Sequence, residues 1–411
     1  MSELELEVER PALGGGVAHA PDGRVVFVRL ALAGERVRVR VLDEATRFVR
    51  AEAVAVVRAA AGRVAPPCPH AGAGRCGGCD LQHADEATER AWKEAVVAEQ
   101  LARIGRIDWR GSLRRPPSPA AGSRTRLRGA VDPAGRLGLR RSRSHEVEAL
   151  DGCWLADPRL RAAFAHRWPG AREVELRALG EGEPVAVIDA GGGVRRAVGL
   201  DGRGARDGVA RVRVGGYDYR VSADSFWQSH RDAPALLVEA VTAAAALGAG
   251  ERVVDLYAGV GLFSRPLADV VGSRGRADAV EASPSACADA RANVVDTPWV
   301  GVHEAPVDPA GVARVVDAES VVVCDPPRTG LGRGVADALA RARPRRVVYV
   351  SCDAATLARD LRKLLDQGFT LVGLDAYDLF PKTEHVELVA SLDAVPSRVD
   401  SAREARRSRT S

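Results

Sequence analysis

The segment ERVVDLYAGVGLFS, residues 251–264, decides the fold of the C-terminal part of this chain. Its first half is an apolar strand with one acid, Asp255, and its second half carries Gly259 and Gly261. Glycines directly after a strand let the backbone approach a ligand, and the N–H groups of the following helix point at that ligand. Ser264 stands where the dinucleotide pattern has its third glycine, which counts against a pyrophosphate. The segment predicts a nucleotide-type site, with a turn that binds nothing as the alternative.

Strand and helix patterns alternate around this segment, over residues 221–394. A helix over APALLVEAVTAAAALG is predicted to end at Gly248, and Ser283 and Asp353 are predicted to cap two later helices. The apolar strands ADAVEA, VGVHEA, SVVVCD and RRVVYVS lie between helical stretches. The second strand ends in Glu281, where an acid can bind a ribose diol. The alternation predicts an α/β domain with a doubly wound, mostly parallel sheet.

Two further strand ends carry candidate chemistry. Asp325, in CDPPRTGL, lies where ligands of such sheets bind, and Cys352, in VVYVSCD, directly precedes a helix. The helix dipole favours the thiolate, which is the attacking form of a cysteine. A lone cysteine is more often a small buried residue, but the nearby DPPR motif favours catalysis. FPKTEHVEL supplies three candidate bases: Glu384, His385 and Glu387.

The N-terminal 60 residues contain five short strand patterns, with a hairpin turn at APDGR. Short, closely spaced strands predict a small β-barrel. A Cys-rich loop and a helix over about residues 84–104 open a mixed α+β domain. The predicted division is therefore 1–60, 61–220, 221–394 and a polar tail, 395–411, that we expect to be disordered.

Seven cysteines are not expected to form disulfides, because the acidic N-terminus lacks the apolar stretch of a signal peptide and the protein is expected in the cytoplasm. Cys68, Cys76 and Cys79 have the spacing C-x7-C-x2-C, and Cys153 lies far downstream. Four thiolates can hold an iron–sulfur cluster or zinc, and CGGC could also be a redox pair. The residues alone leave these alternatives open.

The net charge of +4 and the pI near 8.8 permit nucleic-acid binding without requiring it. Lysine occurs only at positions 93, 363 and 382, so arginine supplies almost all basic groups. No apolar run is long enough to span a bilayer, so no membrane partner is expected, and we expect a monomer. The arginines that are candidate phosphate contacts are Arg124, Arg126, Arg128, Arg140, Arg141 and Arg143.

Together these motifs resemble the RNA 5-methyluridine methyltransferase family, in its iron–sulfur-containing branch, over nearly the whole chain. The resemblance implies an RNA-binding TRAM domain at the N-terminus, S-adenosylmethionine as methyl donor, and a [4Fe–4S] cluster on the four cysteines. It also implies that Cys352 adds to C6 of a uracil and that Glu387 later removes the C5 proton. The cofactor contacts that the family motifs imply, in addition to Gly259 and Gly261, are Gln228, Tyr257, Glu281 and Asp325.

Ser229 and Leu262 depart from the family pattern and put individual cofactor contacts in doubt. Two other functions stay open. An amino-group methyltransferase shares the glycine loop and the Asp-Pro-Pro motif but needs no cysteine. A non-catalytic RNA-binding protein could retain the fold alone. Ribosomal RNA and transfer RNA are both open as substrates, and the iron–sulfur branch favours ribosomal RNA.

Overall fold

The computed structural model describes residues 4–191 and 195–395, so the predicted disordered tail lies outside the described residues from position 396 onward. The chain divides into two compact units. Described residues 4–103, 108–191, 195–236 and 376–387 belong to unit 1. Unit 2 contains residues 104–107, 237–375 and 388–395 of the described chain. The domain boundaries at 60 and 220 stay a prediction.

The N-terminal part of unit 1 is a six-stranded sheet. Its strands are β1 (Leu4–Glu7), β2 (Arg10–Ala12), β3 (Gly15–His19), β4 (Val25–Arg29), β5 (Arg36–Glu44) and β6 (Phe48–Arg58). They lie in the order β1-β5-β6-β4-β3-β2, and β4 and β6 run parallel. The five predicted strand patterns are confirmed, and β2 is an addition. The turn at APDGR is confirmed by the Ala20 N–H bond to the Arg24 carbonyl (2.9 Å) and by Gly23 at φ +84°.

The helix predicted over residues 84–104 is α1 (Glu86–Gln100), which continues into one π-helical turn, Leu101–Gly105. Asp85 caps it by accepting the Thr88 N–H at 2.7 Å. The rest of unit 1 up to residue 221 contains a 3-10 turn, Pro158–Leu160, and the helix α2 (Ala162–Ala165). The strands are β7 (Leu113–Arg114), β8 (Arg126–Val131), β9 (Leu137–Arg140), β10 (Val147–Ala149), β11 (Glu173–Arg177), β12 (Val185–Asp189), β13 (Arg195–Val198), β14 (Ala210–Val214) and β15 (Tyr217–Val221).

Six of these strands form an antiparallel sheet in the order β10-β9-β8-β11-β12-β13, and β14 pairs with β15 as a hairpin. Leucine, valine and Trp168 fill the core of this sheet, and Cys76 and Cys153 pack against its edge. The core therefore reaches the cysteine-rich loop. The predicted mixed α+β organisation is confirmed.

Unit 2 follows the strand–helix alternation. Its helices are α3 (Ala233–Ala245), α4 (Ser264–Val271), α5 (Pro284–Asn293), α6 (Pro309–Val315), α7 (Val335–Ala342) and α8 (Ala354–Asp366), and α3 begins within unit 1. Its strands are β16 (Arg252–Leu256), β17 (Arg276–Glu281), β18 (Val300–Glu304), β19 (Ser320–Cys324), β20 (Arg346–Ser351), β21 (Phe369–Tyr377) and β22 (Glu387–Ala394).

The strands of this sheet lie in the order β18-β17-β16-β19-β20-β22-β21. The first five are parallel, and β22 runs antiparallel to β20. The last two residues of β21 pair in parallel with β7. The predicted doubly wound, mostly parallel sheet is confirmed. Within the described ranges no helix has the length and apolar character needed to span a membrane.

Two predicted helix starts are confirmed, and one predicted helix end is wrong. The N-caps Ser283 and Asp353 are confirmed, since each side chain accepts a backbone N–H of its helix. The end of α3 at Gly248 was wrong. The helix ends at Ala245, and Ala246 takes the left-handed conformation (φ +45°) that the pattern had assigned to a glycine.

Two of the three lysines of the chain lie in one ionic cluster of unit 1. Lys93, which is fully buried on α1, donates to Glu89 (2.9 Å), Asp378 (2.6 Å) and the Phe380 carbonyl (3.1 Å). Lys382 contacts the other Glu89 oxygen at 2.9 Å. Burial acts to raise the pKa of Glu89, but the two ammonium groups hold it below its usual value. The cluster ties residues 376–387 to α1.

Replacing Lys93 with methionine should destabilise the fold strongly, because Asp378 would stay buried without its cation. We expect a loss of about 3–5 kcal/mol in the free energy of unfolding, measured by urea denaturation. Lys363→Met is the matched control, since Lys363 is exposed on α8, and it should stay within about 0.5 kcal/mol of the wild type. Equal unfolding midpoints for the two variants would contradict a stabilising role for the cluster.

Candidate functional site

The loop after β16 is shaped by two glycines with positive φ, Gly259 (+56°) and Gly261 (+83°). A side chain would be strained at either position. No heavy atom lies within 4 Å of where a Cβ of Gly259 would stand, so this part of the described chain leaves open space beside the loop. Behind the loop, the buried Asn293 side chain donates to the Val260 carbonyl at 2.9 Å. The glycine loop is therefore fixed on one side and open on the other.

Glu281, the last residue of β17, has both carboxylate oxygens fixed by backbone groups. One accepts the Gly259 N–H at 2.9 Å, and the other accepts the Ser283 N–H at 2.7 Å. The carboxylate thus lies against the glycine loop without needing any cation to hold it. This is the position predicted for an acid that binds a ribose diol.

Two acids at the ends of neighbouring strands are held in the interior of unit 2. Asp255 is 2% exposed, and its Oδ2 accepts the Ser264 hydroxyl at 2.5 Å. Its Oδ1 is buried without a hydrogen bond to any described residue. Burial, and then the charge of Glu281, raises the pKa of Asp255, while burial and the charge of Asp255 raise the pKa of Asp325. A cationic ligand at this edge would relieve both shifts.

Tyr257 adopts the left-handed backbone conformation (φ +61°), which is uncommon for a residue with a side chain. Such strain costs about 1–3 kcal/mol and concentrates at ligand sites. The Tyr257 hydroxyl accepts the Gly332 N–H at 3.3 Å. It therefore links the loop after β16 to the loop after β19.

Asp360 supports the loop that follows Asp325, and the sequence analysis did not identify it. It is buried in α8, and one carboxylate oxygen accepts the Leu331 N–H and the Tyr349 hydroxyl, each at 2.9 Å. Its position on the apolar stripe of α8, between Leu357 and Leu364, was the available signal. A carboxylate on a buried helix face requires partners, and here they position the loop.

Cys352 lies between the end of β20 and the N-cap of α8, and it is partly exposed. The turn is closed by its neighbours, because the Ser351 hydroxyl donates to the Asp353 carbonyl (3.1 Å) and accepts the Asp353 N–H (3.2 Å). Ser351 pairs with Leu388 across β20 and β22. The thiol is therefore presented from a rigid turn at the same sheet edge as the glycine loop.

Two of the predicted catalytic and cofactor-binding residues belong to unit 1. Gln228 is 9% exposed in the segment between β15 and α3, and Glu387, the first residue of β22, is 3% exposed. The other two candidate bases have different surroundings. Glu384 accepts the Gly14 N–H at 2.6 Å, and His385 packs edge-on against Phe380. The roles of Glu384, His385 and Glu387 stay predictions.

The four predicted metal ligands, Cys68, Cys76, Cys79 and Cys153, line one pocket in unit 1 and form no disulfide. Burial raises the pKa of Cys76 to about 11 and that of Cys79 to about 12. The Gln82 amide donates to the Cys79 sulfur at 3.4 Å. In the described residues, no three His, Cys, Asp or Glu side chains are arranged to hold one metal ion.

Glycines allow the Cys76–Cys79 loop to lie flat on the β9–β10 hairpin. The Gly77 N–H donates to the Arg140 carbonyl at 3.1 Å, and a Cβ on Gly77 would come within 2.7 Å of the Ser142 nitrogen. The longer loop before Cys76 is also anchored, since Arg75 contacts Glu148 and the Gly74 N–H donates to a Glu52 oxygen at 3.2 Å. The unusual C-x7-C spacing therefore corresponds to an ordered loop.

Most of the arginines predicted to contact phosphate already have acidic partners. Arg126 binds Glu175 at 2.5 Å, and Arg128 and Arg140 both contact Glu173. Arg141 contacts Glu146 and Glu148. These ion pairs reduce the positive charge that the sequence suggested for this region. A phosphate role for these four arginines stays a prediction.

Two family models and several full-length relatives match this chain. The family model described as tRNA (uracil-5-)-methyltransferase matches residues 315–394, and that of the TRAM domain matches residues 2–54. An uncharacterized RNA methyltransferase from Streptomyces coelicolor is 38% identical, over 95% of this chain and 93% of its own. The 23S rRNA (uracil(1939)-C(5))-methyltransferase RlmD from Pseudomonas putida is 31% identical, over the same shares of the two chains.

The fold is shared with a solved enzyme. The crystal structure of Pyrococcus abyssi tRNA (uracil-54, C5)-methyltransferase with S-adenosyl-L-homocysteine matches 94% of this chain and 100% of its own, with a TM-score of 0.70 and 24% identity. Three observations indicate the same family. They are the near-complete coverage of relatives above 30% identity, the TRAM match and the arrangement of residues at the sheet edge. This chain belongs to the RNA uracil-C5 methyltransferase family.

Proposed function

We propose that this protein methylates C5 of a uridine in 23S-type ribosomal RNA. One observation carries the proposal: loops at one edge of the unit 2 sheet present a nucleotide-type site and a cysteine. Ribosomal RNA is preferred to transfer RNA because the Pseudomonas putida relative acts on 23S rRNA. We further propose a cytoplasmic monomer, since RNA is the substrate and one chain supplies every predicted site residue.

The residues at this edge fit S-adenosylmethionine. The open side of Gly259 gives the ligand room, and the fixed Glu281 carboxylate suits a ribose diol. Asp325, with Asp255 behind it, suits the cationic end of the cofactor. Gln228 and Tyr257 are proposed as further contacts. When bound, S-adenosylmethionine supplies a methyl group on an electrophilic sulfonium.

Cys352 is proposed as the nucleophile, because uracil C5 is not nucleophilic enough to be methylated unaided. Its thiolate forms a bond to C6, and the electron pair of the C5–C6 double bond makes C5 the nucleophile that takes the methyl group. Glu387 then removes the C5 proton, the double bond re-forms and the C6–S bond breaks. The target base must leave its stack first, because pairing and stacking hide this edge.

The strand register supports this pairing of roles. Ser351 and Leu388 pair across antiparallel β20 and β22. Cys352 directly follows the first of these residues, and Glu387 directly precedes the second. An amino-group methyltransferase would need neither residue, so the following variants separate the two functions.

Cys352→Ala should abolish formation of 5-methyluridine. The protein would be incubated with S-adenosylmethionine and total RNA from cells that lack the gene, and the nucleosides quantified by mass spectrometry. We expect a rate loss of at least about 1,000-fold, because the nucleophile is removed. Binding of S-adenosylhomocysteine should be unchanged, which serves as the control for folding. Full activity of the variant would favour an amino-group methyltransferase. If the wild type forms 5-methyluridine in a transfer RNA fragment, the substrate is transfer RNA and not ribosomal RNA.

Glu387→Gln should trap the enzyme on RNA. Without a base, the C5 proton stays on the methylated ring and the cysteine cannot leave. We expect a protein–RNA adduct that survives a denaturing gel, formed only with S-adenosylmethionine, and no adduct in the double variant with Cys352→Ala. Normal turnover by Glu387→Gln would exclude Glu387 as the base.

We also propose that Cys68, Cys76, Cys79 and Cys153 hold a [4Fe–4S] cluster. Four thiols in one pocket, with an amide donor to the Cys79 sulfur, match the donor set of such clusters. Zinc is the alternative occupant, because four thiolates bind it readily.

Protein purified without oxygen should contain about four iron atoms per chain and show the visible absorption that is typical of iron–sulfur proteins. Cys153→Ser should lose most of the iron, because the distant ligand closes the pocket. Cys287→Ser is the control, since Cys287 is buried in α5 outside the pocket, and it should keep the iron. Stoichiometric zinc with almost no iron would overturn the proposal.

A further inference from the structure

A second cavity, of about 200 Å³, lies within unit 1 and takes no part in the proposed chemistry. It is bounded by the N-terminal sheet, the turn after Cys79, the β9–β10 hairpin and residue 384. The lining residues that bear on its use are Gly14, Arg29, Trp92, Ser142, Arg143 and Glu384. This lining is mixed, because cationic and acidic groups lie beside apolar residues such as Leu30 and Leu81.

Two donors in this lining make no hydrogen bond to the described residues. Arg143, at the tip of the β9–β10 hairpin, is exposed, and its φ is +53°. The like charges of Arg50 and Arg29 and the opposite charges of Asp43 and Glu384 all lie near it. The Trp92 indole N–H is buried without an acceptor. The indole N–H is therefore a buried unmet donor, whereas the exposed Arg143 guanidinium can contact a phosphate from the solvent side.

The acidic group of the cavity is Glu384. Its Oε2 accepts the Gly14 N–H, and its other oxygen makes no hydrogen bond to described residues. Burial, and then the charge of Asp80, raises the pKa of Glu384 to about 7. Its free oxygen can therefore face a ligand edge that carries both donors and acceptors, as a nucleobase does.

We propose that this cavity binds one unpaired nucleotide of the substrate RNA, separate from the uridine that is methylated. A phosphate would meet Arg143, and the base edge would be read by Glu384. The volume is below the roughly 300–1,000 Å³ of sites for drug-sized ligands, as expected for a single base. The inference rests on the proposed function, because it takes RNA as the substrate.

The test measures binding of single-stranded homopolymers of U, A, C and G to the full-length protein by fluorescence anisotropy at one salt concentration. The wild type should prefer one base. Glu384→Gln should change that preference, because the amide presents a donor where the carboxylate presents an acceptor. Arg143→Ala should weaken all four homopolymers alike, by about tenfold. Arg143→Gln replaces it if the alanine variant unfolds.

Arg47→Ala is the matched control. It removes the same charge from an exposed arginine in the turn between β5 and β6, outside the cavity, and should change affinity by less than about twofold. Equal affinity of the wild type for all four homopolymers, an unchanged base preference in Glu384→Gln, or an Arg143 variant that behaves like Arg47→Ala would each overturn the inference.

Methyl transfer to total RNA, measured in parallel, separates this inference from the proposed function. If the wild type forms 5-methyluridine while the cavity variants bind like Arg47→Ala, only the cavity proposal fails. If base preference responds to Glu384→Gln but no 5-methyluridine forms, the cavity binds RNA and uracil methylation fails.

Discussion

The register of β16 between β17 and β19 is the constraint on which the proposed cofactor site depends. Leu256 pairs with Val280 on one side and with Cys324 on the other. All three strands are parallel, so the residue after each pair emerges at the same edge of the sheet. Those residues are Tyr257, Glu281 and Asp325. A slip of one residue would turn each side chain to the opposite face, so the apolar strands that fix the register also fix the site.

Carboxylates that lie close together at one sheet edge repel each other and destabilise the fold, and hydrogen bonds to two of them reduce this effect. Glu281 accepts two backbone N–H groups, and Asp255 accepts the Ser264 hydroxyl. Burial nevertheless raises the pKa values of Asp255 and Asp325, and neighbouring carboxylates raise them further. Ser264, which stands where the dinucleotide pattern has its third glycine, thus has a structural role of its own. It caps an acid at the point where a pyrophosphate-binding loop would need bare backbone.

The sequence predicted what depends on local periodicity and capping. Strands, their order of occurrence and the caps Ser283 and Asp353 follow from patterns a few residues long. It could not predict contacts between distant segments. The arginines of β8 contact Glu173 and Glu175 because β8 pairs with β11, about 45 residues later. These ion pairs offset the positive charge that the sequence alone suggested. Asp360 was missed for the same reason, since its partner Leu331 lies 29 residues earlier.

The segment that carries the proposed base shows how the four cysteines, although distant in sequence, can matter for catalysis without entering the chemistry. Residues 376–387 belong to unit 1, where Lys93 and Lys382 bind Glu89 and Asp378. A compact ammonium with three rotatable donors suits the convergence of several oxygens at one buried point. The Lys382 carbonyl also accepts the N–H groups of residues 80 and 81, at 2.9 and 3.0 Å, directly after Cys79. Any group that fixes Cys79 therefore restrains the segment that ends in Glu387, which argues for a structural role of the four cysteines.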